Sequence, residues 1–161
     1  MQLSPAQNAT LKTAILADQT LAPMVAISDW PAVADALNLV ASPAFVVWRT
    51  SVARDVIQRD AGFNWTRVDN LNNGSKYRIW EWMFVTGSIN PSAANVRAGI
   101  DATWVGTAAD LAVRAVVYAH CKRSATKAEK ILASGTGSDA VPATMGAEGA
   151  LTGSDVQGAM A

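Results

Sequence analysis

The residues with the most reactive side chains are a histidine and a cysteine that stand next to each other, His120 and Cys121. Each is the single residue of its kind in the chain, whereas a structural zinc site needs four such ligands. Neighbouring residues of a helix point about 100° apart, so these two make a geometrically poor Cys–His catalytic pair. We therefore predict no metal site and interpret His120 as a structural residue near a helix end.

Two further patterns that carry chemistry elsewhere are incomplete here. The glycine-rich segment GTGSD at 135–139 lacks the GK[ST] ending of a phosphate-binding loop, and it follows a helical pattern instead of a strand. Carboxylate pairs such as Asp55 and Asp60 lack the spacing that would set both on one helix face. The sequence thus predicts no catalytic residues, no cofactor and a protein that is not an enzyme.

Six tryptophans are a more unusual feature of the chain. Trp80 and Trp82 are two positions apart, which is about 200° around a helix, so both cannot face one core. Tryptophan is enriched at interface hot spots because it buries a large area and keeps a polar N–H. We predict Trp80 and Trp82 as candidate interface aromatics, one of them at an interface or an edge. The alternative is that every indole lies in or over a small helical core.

The densest basic cluster lies at residues 122–130. On a continuous helix, positions 123, 127 and 130 would share one face, and such a face can meet phosphates. A solvated surface is the alternative, since no aromatic residue is interleaved to stack on bases. The candidate residues of a DNA channel are Lys122, Arg123, Lys127 and Lys130.

Composition limits the class of protein. The chain has 161 residues, the length of about one domain, and a formal net charge of zero. Residues 1–75, 76–130 and 131–161 carry net charges of −1, +4 and −3, too small an excess for a dedicated DNA-binding domain.

No run approaches the ~18 apolar residues of a membrane span, and the N-terminal residues lack the pattern of a secretory signal. One cysteine fits a reducing compartment.

The apolar spacing is mostly helical. The longest predicted helix, 108–122, carries an apolar stripe of Leu111, Ala115, Val116 and Ala119. The run AFVVW at 44–48 is β-prone and is the one place where a short strand is plausible. Helix starts are predicted at the proline-containing pairs Ser4-Pro5, Trp30-Pro31 and Asn90-Pro91 and at the cap residues Ser51 and Thr107. Thr126 and Glu129 fit a capping box, or they continue the helix at 108–122 after a break near Ser124.

The last 27 residues, 135–161, contain no Lys, Arg, Phe, Trp or Tyr. A segment with so little apolar bulk does not offset its own ordering entropy, so it needs a surface to lie on, either its own domain or a neighbouring chain. We predict an all-α fold, a small helical bundle at 1–134, followed by an extended, largely non-helical C-terminal arm at 135–161 that docks on a neighbour. The candidate contact residues of this arm are Gly135, Asp139, Val141, Pro142, Met145, Leu151, Val156 and Met160.

Four segments together resemble a known group of proteins. They are SPAFVVWRTSV at 42–52, RIWEWMF at 78–84, INPSAANVRAGIDATW at 89–104, and the stretch from KRSATKAEK to MGAEGAL at 122–151. In this combination the chain resembles proteins encoded among the structural genes of tailed bacteriophages, a family without an assigned role. The resemblance implies a virion or assembly protein.

Within that class we predict a head–tail connector or adaptor that forms a ring of identical copies under the portal and lines the DNA channel. Its expected partners are itself, the portal, adjacent tail or neck proteins and, through non-specific contact, packaged DNA, with no membrane involved. Its expected place is the neck of the virion, after assembly in the host cytoplasm. The alternatives are a capsid decoration or tail protein, a tail-assembly chaperone and, from a different class, an enzyme or DNA-binding regulator.

Overall fold

The computed structural model describes residues 1–71 and 74–161. The chain forms two compact units, each with its own core. The terminal unit combines Met1–Val47 with Ser124–Ala161, and the central unit is Trp48–Arg123. The described elements are α1 (Pro5–Ala17), α2 (Ala22–Ala26), α3 (Trp30–Asn38), β1 (Val46–Trp48), β2 (Val52–Ala53), α4 (Arg54–Gln58), α5 (Trp65–Asp69), α6 (Ser75–Met83), β3 (Ser88–Ile89), α7 (Ala94–Thr103), α8 (Ala108–Cys121), β4 (Lys122–Ser124), α9 (Lys127–Leu132) and α10 (Gly153–Met160).

Three helices of the terminal unit begin at capping boxes. In each box, the hydroxyl of the N-cap residue accepts a hydrogen bond from the backbone N–H of the residue three positions later. The side chain of that later residue accepts a hydrogen bond from the backbone N–H of the N-cap residue. This satisfies two backbone donors that the first helical turn leaves without a partner. The pairs are Ser4 with Gln7, Thr126 with Glu129, and Thr152 with Asp155.

The last helix, α10, packs against α1 and α3 of the same unit. Val156 is fully buried there, and Leu151 is 4% exposed. The Asn38 side chain holds the backbone of Leu151 at both its N–H (2.8 Å) and its carbonyl (2.9 Å). Lys12 Nζ donates to the carbonyl of Met160 over 2.9 Å. The C-terminal segment therefore supplies part of the hydrophobic core of the terminal unit.

The core of the central unit is built on aromatic rings. Trp80 from α6 and Trp104 after α7 are both fully buried, with ring centroids 5.1 Å apart at an interplanar angle of 76°. Phe84 meets Trp80 edge to face at 4.8 Å, and Phe63 lies 6.2 Å from Trp80. Edge-to-face geometry places the positive ring edge against the negative ring face. These contacts hold α6 and α7 in a fixed arrangement.

The prediction of an all-α fold is wrong, because the chain is 53% helical with 9% strand in two small antiparallel sheets. Strand β1 pairs with β4, and β2 pairs with β3 with Val52 opposite Ile89 and Ala53 opposite Ser88. The β-prone run at 44–48 does form a strand, and its backbone groups need hydrogen-bond partners. They find them in the part of the chain that follows α8: Val46 N donates to Gly137 O over 2.7 Å, and Ala125 N donates to Phe45 O over 2.9 Å.

The C-terminal segment also differs from the predicted extended tail, because residues 153–160 are helical. The physical reason is local. Thr152 and Asp155 close a capping box, and Val156, Ala159 and Met160 follow at helical spacing. The boundary predicted between residues 134 and 135 falls within the terminal unit.

Three helical predictions in the central unit need correction. Ser51 does not cap a helix, because Val52 and Ala53 form β2 and α4 begins only at Arg54. Asn90 and Pro91 precede a turn in which Asn90 Oδ1 accepts from Ser92 N, and α7 begins only at Ala94. In α8 the buried face consists of Asp110, Val113, Val117 and Cys121, while Leu111 is 43% exposed. Apolar residues surround this helix on most sides, so their spacing did not identify the face that packs.

Asp110 forms the best-buried ion pair of the central unit within the described residues. Its carboxylate accepts from Arg67 Nη2 at 2.6 Å and Nε at 3.0 Å, and it closes the capping box of α8 with Thr107. Burial opposes its charge, but the hydrogen bonds from Arg67 and Thr107 outweigh burial, so the pKa of Asp110 is held below its ordinary value of 3.8. The ionised carboxylate is therefore the form that stabilises the fold.

Replacing Asp110 by asparagine is expected to lower the free energy of unfolding at neutral pH by about 2 to 3 kcal/mol. Because the folded pKa lies below the unfolded one, the stabilisation is complete above pH ~4 and is lost as the pH falls through the folded pKa. Urea unfolding of wild type and D110N between neutral and strongly acidic pH should show two converging curves. Asp55→Asn, which breaks an exposed ion pair with Arg59, is the control and should change stability little at any pH. A D110N difference that persists in acid would contradict this account.

Candidate functional site

Trp80 and Trp82 lie on opposite sides of α6, as their spacing predicts. Trp80 is fully buried in the aromatic core, so it is removed as an interface candidate, whereas Trp82 is 69% exposed. One turn before Trp82 on the same face stands Arg78, which is exposed and takes part in no ion pair among the described residues. Val85, whose N–H donates to the carbonyl of Trp82, is 80% exposed. We call Arg78, Trp82 and Val85 the Trp82 surface.

The predicted contact residues of the C-terminal arm divide into two groups. Pro142, Leu151 and Val156 are buried, while Met145 and Met160 are half-buried against clusters of the terminal unit. Their apolar area is thus covered by the same chain. The members of the predicted set that remain exposed are Gly135, Asp139 and Val141.

The predicted basic face of a single helix does not exist, because α8 ends at Cys121 and the chain is extended at 122–124. Lys122 and Arg123 lie on β4, whereas Lys127 and Lys130 lie on α9. In α9 the two lysines are three residues apart and Lys130 Nζ lies 5.6 Å from the centre of the Phe45 ring, within the range of a cation–π contact. The four side chains therefore do not form one helical stripe.

His120 forms a hydrogen bond that the sequence did not predict. Its Nε2 lies 2.7 Å from Asp60 Oδ2. Because Asp60 stands 60 residues earlier, no local sequence pattern indicates this pair. The backbone N–H of Gly62, followed by His120, holds the pKa of Asp60 below its usual value. His120 and Arg49 line a cavity of about 150 Å³ with Ser51 and the apolar Val52, Ala53 and Val56. An imidazole, a guanidinium and a hydroxyl on one small concave surface are suited to a small polar ligand.

Cys121, by contrast, is not available for chemistry in its folded environment. It is fully buried, and burial raises the pKa of its thiol to about 12. The thiolate is the nucleophilic form of cysteine, so at neutral pH this residue acts as a small apolar core side chain. In the part of the chain that the structure describes, no three His, Cys, Asp or Glu residues cluster as metal ligands.

The terminal unit carries an apolar groove between α1 and α2. It has a volume of about 210 Å³ and is lined by Ile15, Leu16, Ala22, Val25 and Ala26. Leu16 is 62% exposed at this groove, and Ile27, directly after α2, is 76% exposed. Pockets that take drug-sized ligands are larger, roughly 300–1,000 Å³. The groove is therefore of a size for a single side chain.

Comparison with known proteins yields no relative: no protein-family model, curated protein or solved structure matches the chain. Among the described residues, no helix combines the length and apolar character needed to cross a membrane.

Proposed function

We propose that this chain is a virion structural protein of a tailed bacteriophage, a head–tail connector or adaptor that assembles as a ring of identical copies under the portal. The resemblance of residues 42–52, 78–84, 89–104 and 122–151 to the phage structural family supplies the viral setting. The exposed apolar side chains of the folded chain support a function in binding other proteins.

The observation that carries the proposal is the Trp82 surface. An indole that is 69% exposed beside a valine that is 80% exposed leaves apolar area in water, which association would bury. Tryptophan and arginine are the residue types most enriched among interface hot spots. Arg78 adds a charge at the same surface, and charge selects partners and orientation. This surface meets the description of a docking site for another protein.

The C-terminal arm contributes to the proposed assembly mainly through the fold. Its buried residues complete the core of the terminal unit, and the exposed Val141 would contact a neighbour. Contact with packaged DNA belongs to the same proposal. Lys127 and Lys130 on α9, with Lys122 and Arg123 on β4, would supply non-specific contacts to phosphates, and such contacts weaken steeply as salt is raised.

The proposal is tested by complementation of a phage that lacks this gene. Trp82→Ala is expected to reduce incorporation of the protein into particles at least about tenfold, because hot-spot truncations cost more than about 1.4 kcal/mol. The stability of the isolated protein should be unchanged, since Trp82 makes little contact with its own chain. Trp65→Ala is the control for loss of an exposed indole elsewhere in the unit, because Trp65 on α5 is 55% exposed, although its ring also packs edge to face on Phe63 at 5.5 Å.

Three outcomes would contradict the proposal. The first is a protein absent from finished particles, which favours an assembly chaperone. The second is a protein spread over the capsid surface, which favours a decoration role. The third is W82A incorporation equal to that of the wild type, which would show that the Trp82 surface is not a docking site.

A further inference from the structure

The two units carry opposite net charges. The terminal unit has three Lys and Arg residues against seven Asp and Glu residues, a net −4, and the central unit has ten against six, a net +4. The two charges cancel in the neutral total of the chain. The acidic unit is assembled from both ends of the sequence, so no single stretch of the sequence shows its net charge. Opposite potentials on different surfaces of one molecule favour association between the central unit of one copy and the terminal unit of another.

Each unit also carries an apolar feature. The central unit presents the Trp82 surface, with a largely exposed indole and the exposed Val85. The terminal unit presents the concave apolar groove lined by residues of α1 and α2. A single indole is the kind of flat, largely apolar group that a groove of about 210 Å³ accepts.

Each apolar feature has a charged residue close to it in the chain. Arg78 stands on the same face of α6 as Trp82. Asp18, the C-cap of α1, follows the groove residue Leu16 by two positions. Asp18 Oδ1 accepts from the N–H (2.9 Å) and the hydroxyl (2.7 Å) of Thr20, hydrogen bonds that favour the ionised carboxylate. The two features therefore carry charges of opposite sign.

We propose that Trp82 of one copy inserts into the groove between α1 and α2 of a second copy, with Arg78 facing Asp18 at its rim. Because the two surfaces differ, the contact is heterologous and each copy offers one of each surface to its neighbours. Repetition closes a ring where the rotation permits and gives an open chain where it does not. The inference deepens the proposed function, on which it rests for its viral setting, by naming the surfaces that join the subunits.

The test uses two variants of the full-length protein that block different surfaces. Trp82→Ala removes the indole, and Leu16→Glu places a charge at the rim of the groove. Both residues are largely exposed, so both variants should keep the circular dichroism and melting temperature of the wild type. In sedimentation equilibrium over a concentration series, the wild type should form higher oligomers. Each variant alone should associate at least about thirtyfold more weakly, as expected for loss of a hot spot.

The mixture of the two variants is the decisive sample. Each variant retains the surface that the other has lost, so an equimolar mixture should form dimers and nothing larger. Dimer formation would also show that both variants are folded. Trp65→Ala is the control and should associate like the wild type. The inference is overturned by a wild type that stays monomeric throughout, by W82A or L16E oligomers of wild-type size, or by a mixture that remains monomeric.

The outcome separates this inference from the proposed function. Heterologous association of a protein that is absent from phage particles would overturn the proposed function and leave the contact between copies established. A protein that enters particles normally but fails the mixing experiment would overturn this inference and leave the viral role intact.

Discussion

Replacing Trp80 by alanine is expected to lower the free energy of unfolding of the central unit by about 3 to 5 kcal/mol, the range for deletion of a buried aromatic side chain. Trp80 is fully buried among neighbouring rings. The centroid of its ring lies 4.8 Å from that of Phe84, 5.1 Å from that of Trp104 and 6.2 Å from that of Phe63. Its removal leaves a cavity at the centre of this cluster. Since many domains are stable by about 5 to 15 kcal/mol in total, the variant should be partly unfolded at physiological temperature.

Two companion variants make this prediction specific. Trp82→Ala removes the same side chain from the same helix, yet Trp82 is 69% exposed, so stability should change by less than about 0.5 kcal/mol. Trp80→Phe keeps an aromatic ring and removes an indole N–H that is buried without an acceptor among the described residues. This variant should therefore lose less stability than Trp80→Ala. Hydrogen exchange measured for individual peptides reports the stability of the central unit separately from that of the terminal unit. Equal losses for W80A and W82A would refute the assignment of the two faces of α6.

Deleting residues 153–161 is expected to destabilise the terminal unit by at least about 4 kcal/mol, because the deletion removes buried apolar area and exposes the side chains that α10 covers. Val156 is fully buried and Ala159 is 4% exposed. The deletion also removes the carbonyl of Met160 that accepts from Lys12, and Asp155, whose carboxylate pairs with the Met1 amino group at 2.9 Å.

The measurement is hydrogen exchange of α1 and α3 with and without the deletion. Protection of both helices should fall sharply, while the aromatic core of the central unit keeps its protection. Gln157→Ala, at an exposed position of α10, serves as the control and should leave protection unchanged. A freely detachable arm would behave in the opposite way, and unchanged protection of α1 and α3 after the deletion would support such an arm.

Local signals in the sequence identify several elements well, because their causes are local. Ser4 and Thr107 act as N-caps of the helices predicted to begin there, since a capping box is satisfied within four residues. At Thr126 the structure forms the capping box and not the alternative, a continuation of the preceding helix. The valines at 46 and 47 form the predicted strand. The helix of the C-terminal segment was missed because its low apolar bulk concealed the capping box at Thr152 and the short apolar turn that follows it.

Tertiary features were predicted less well, because their causes are distant in the chain. The separation of Trp80 and Trp82 follows from helical geometry, but which of them is buried depends on Phe63 and Trp104 in other segments. The contact between His120 and Asp60 joins residues 60 positions apart. The groove between α1 and α2 and the charge division between the units require the fold itself. The apolar face of α8 was misassigned for the same reason.

The central claim is that this protein is an assembly component whose Trp82 surface binds other proteins. The most direct measurement is the native mass of the purified chain, alone and mixed with the cognate portal, for the wild type and for Trp82→Ala. We expect the wild type to join the portal as a discrete ring and the variant to remain free. A wild type whose mass is indifferent to the portal, or a variant that binds as the wild type does, would contradict the account.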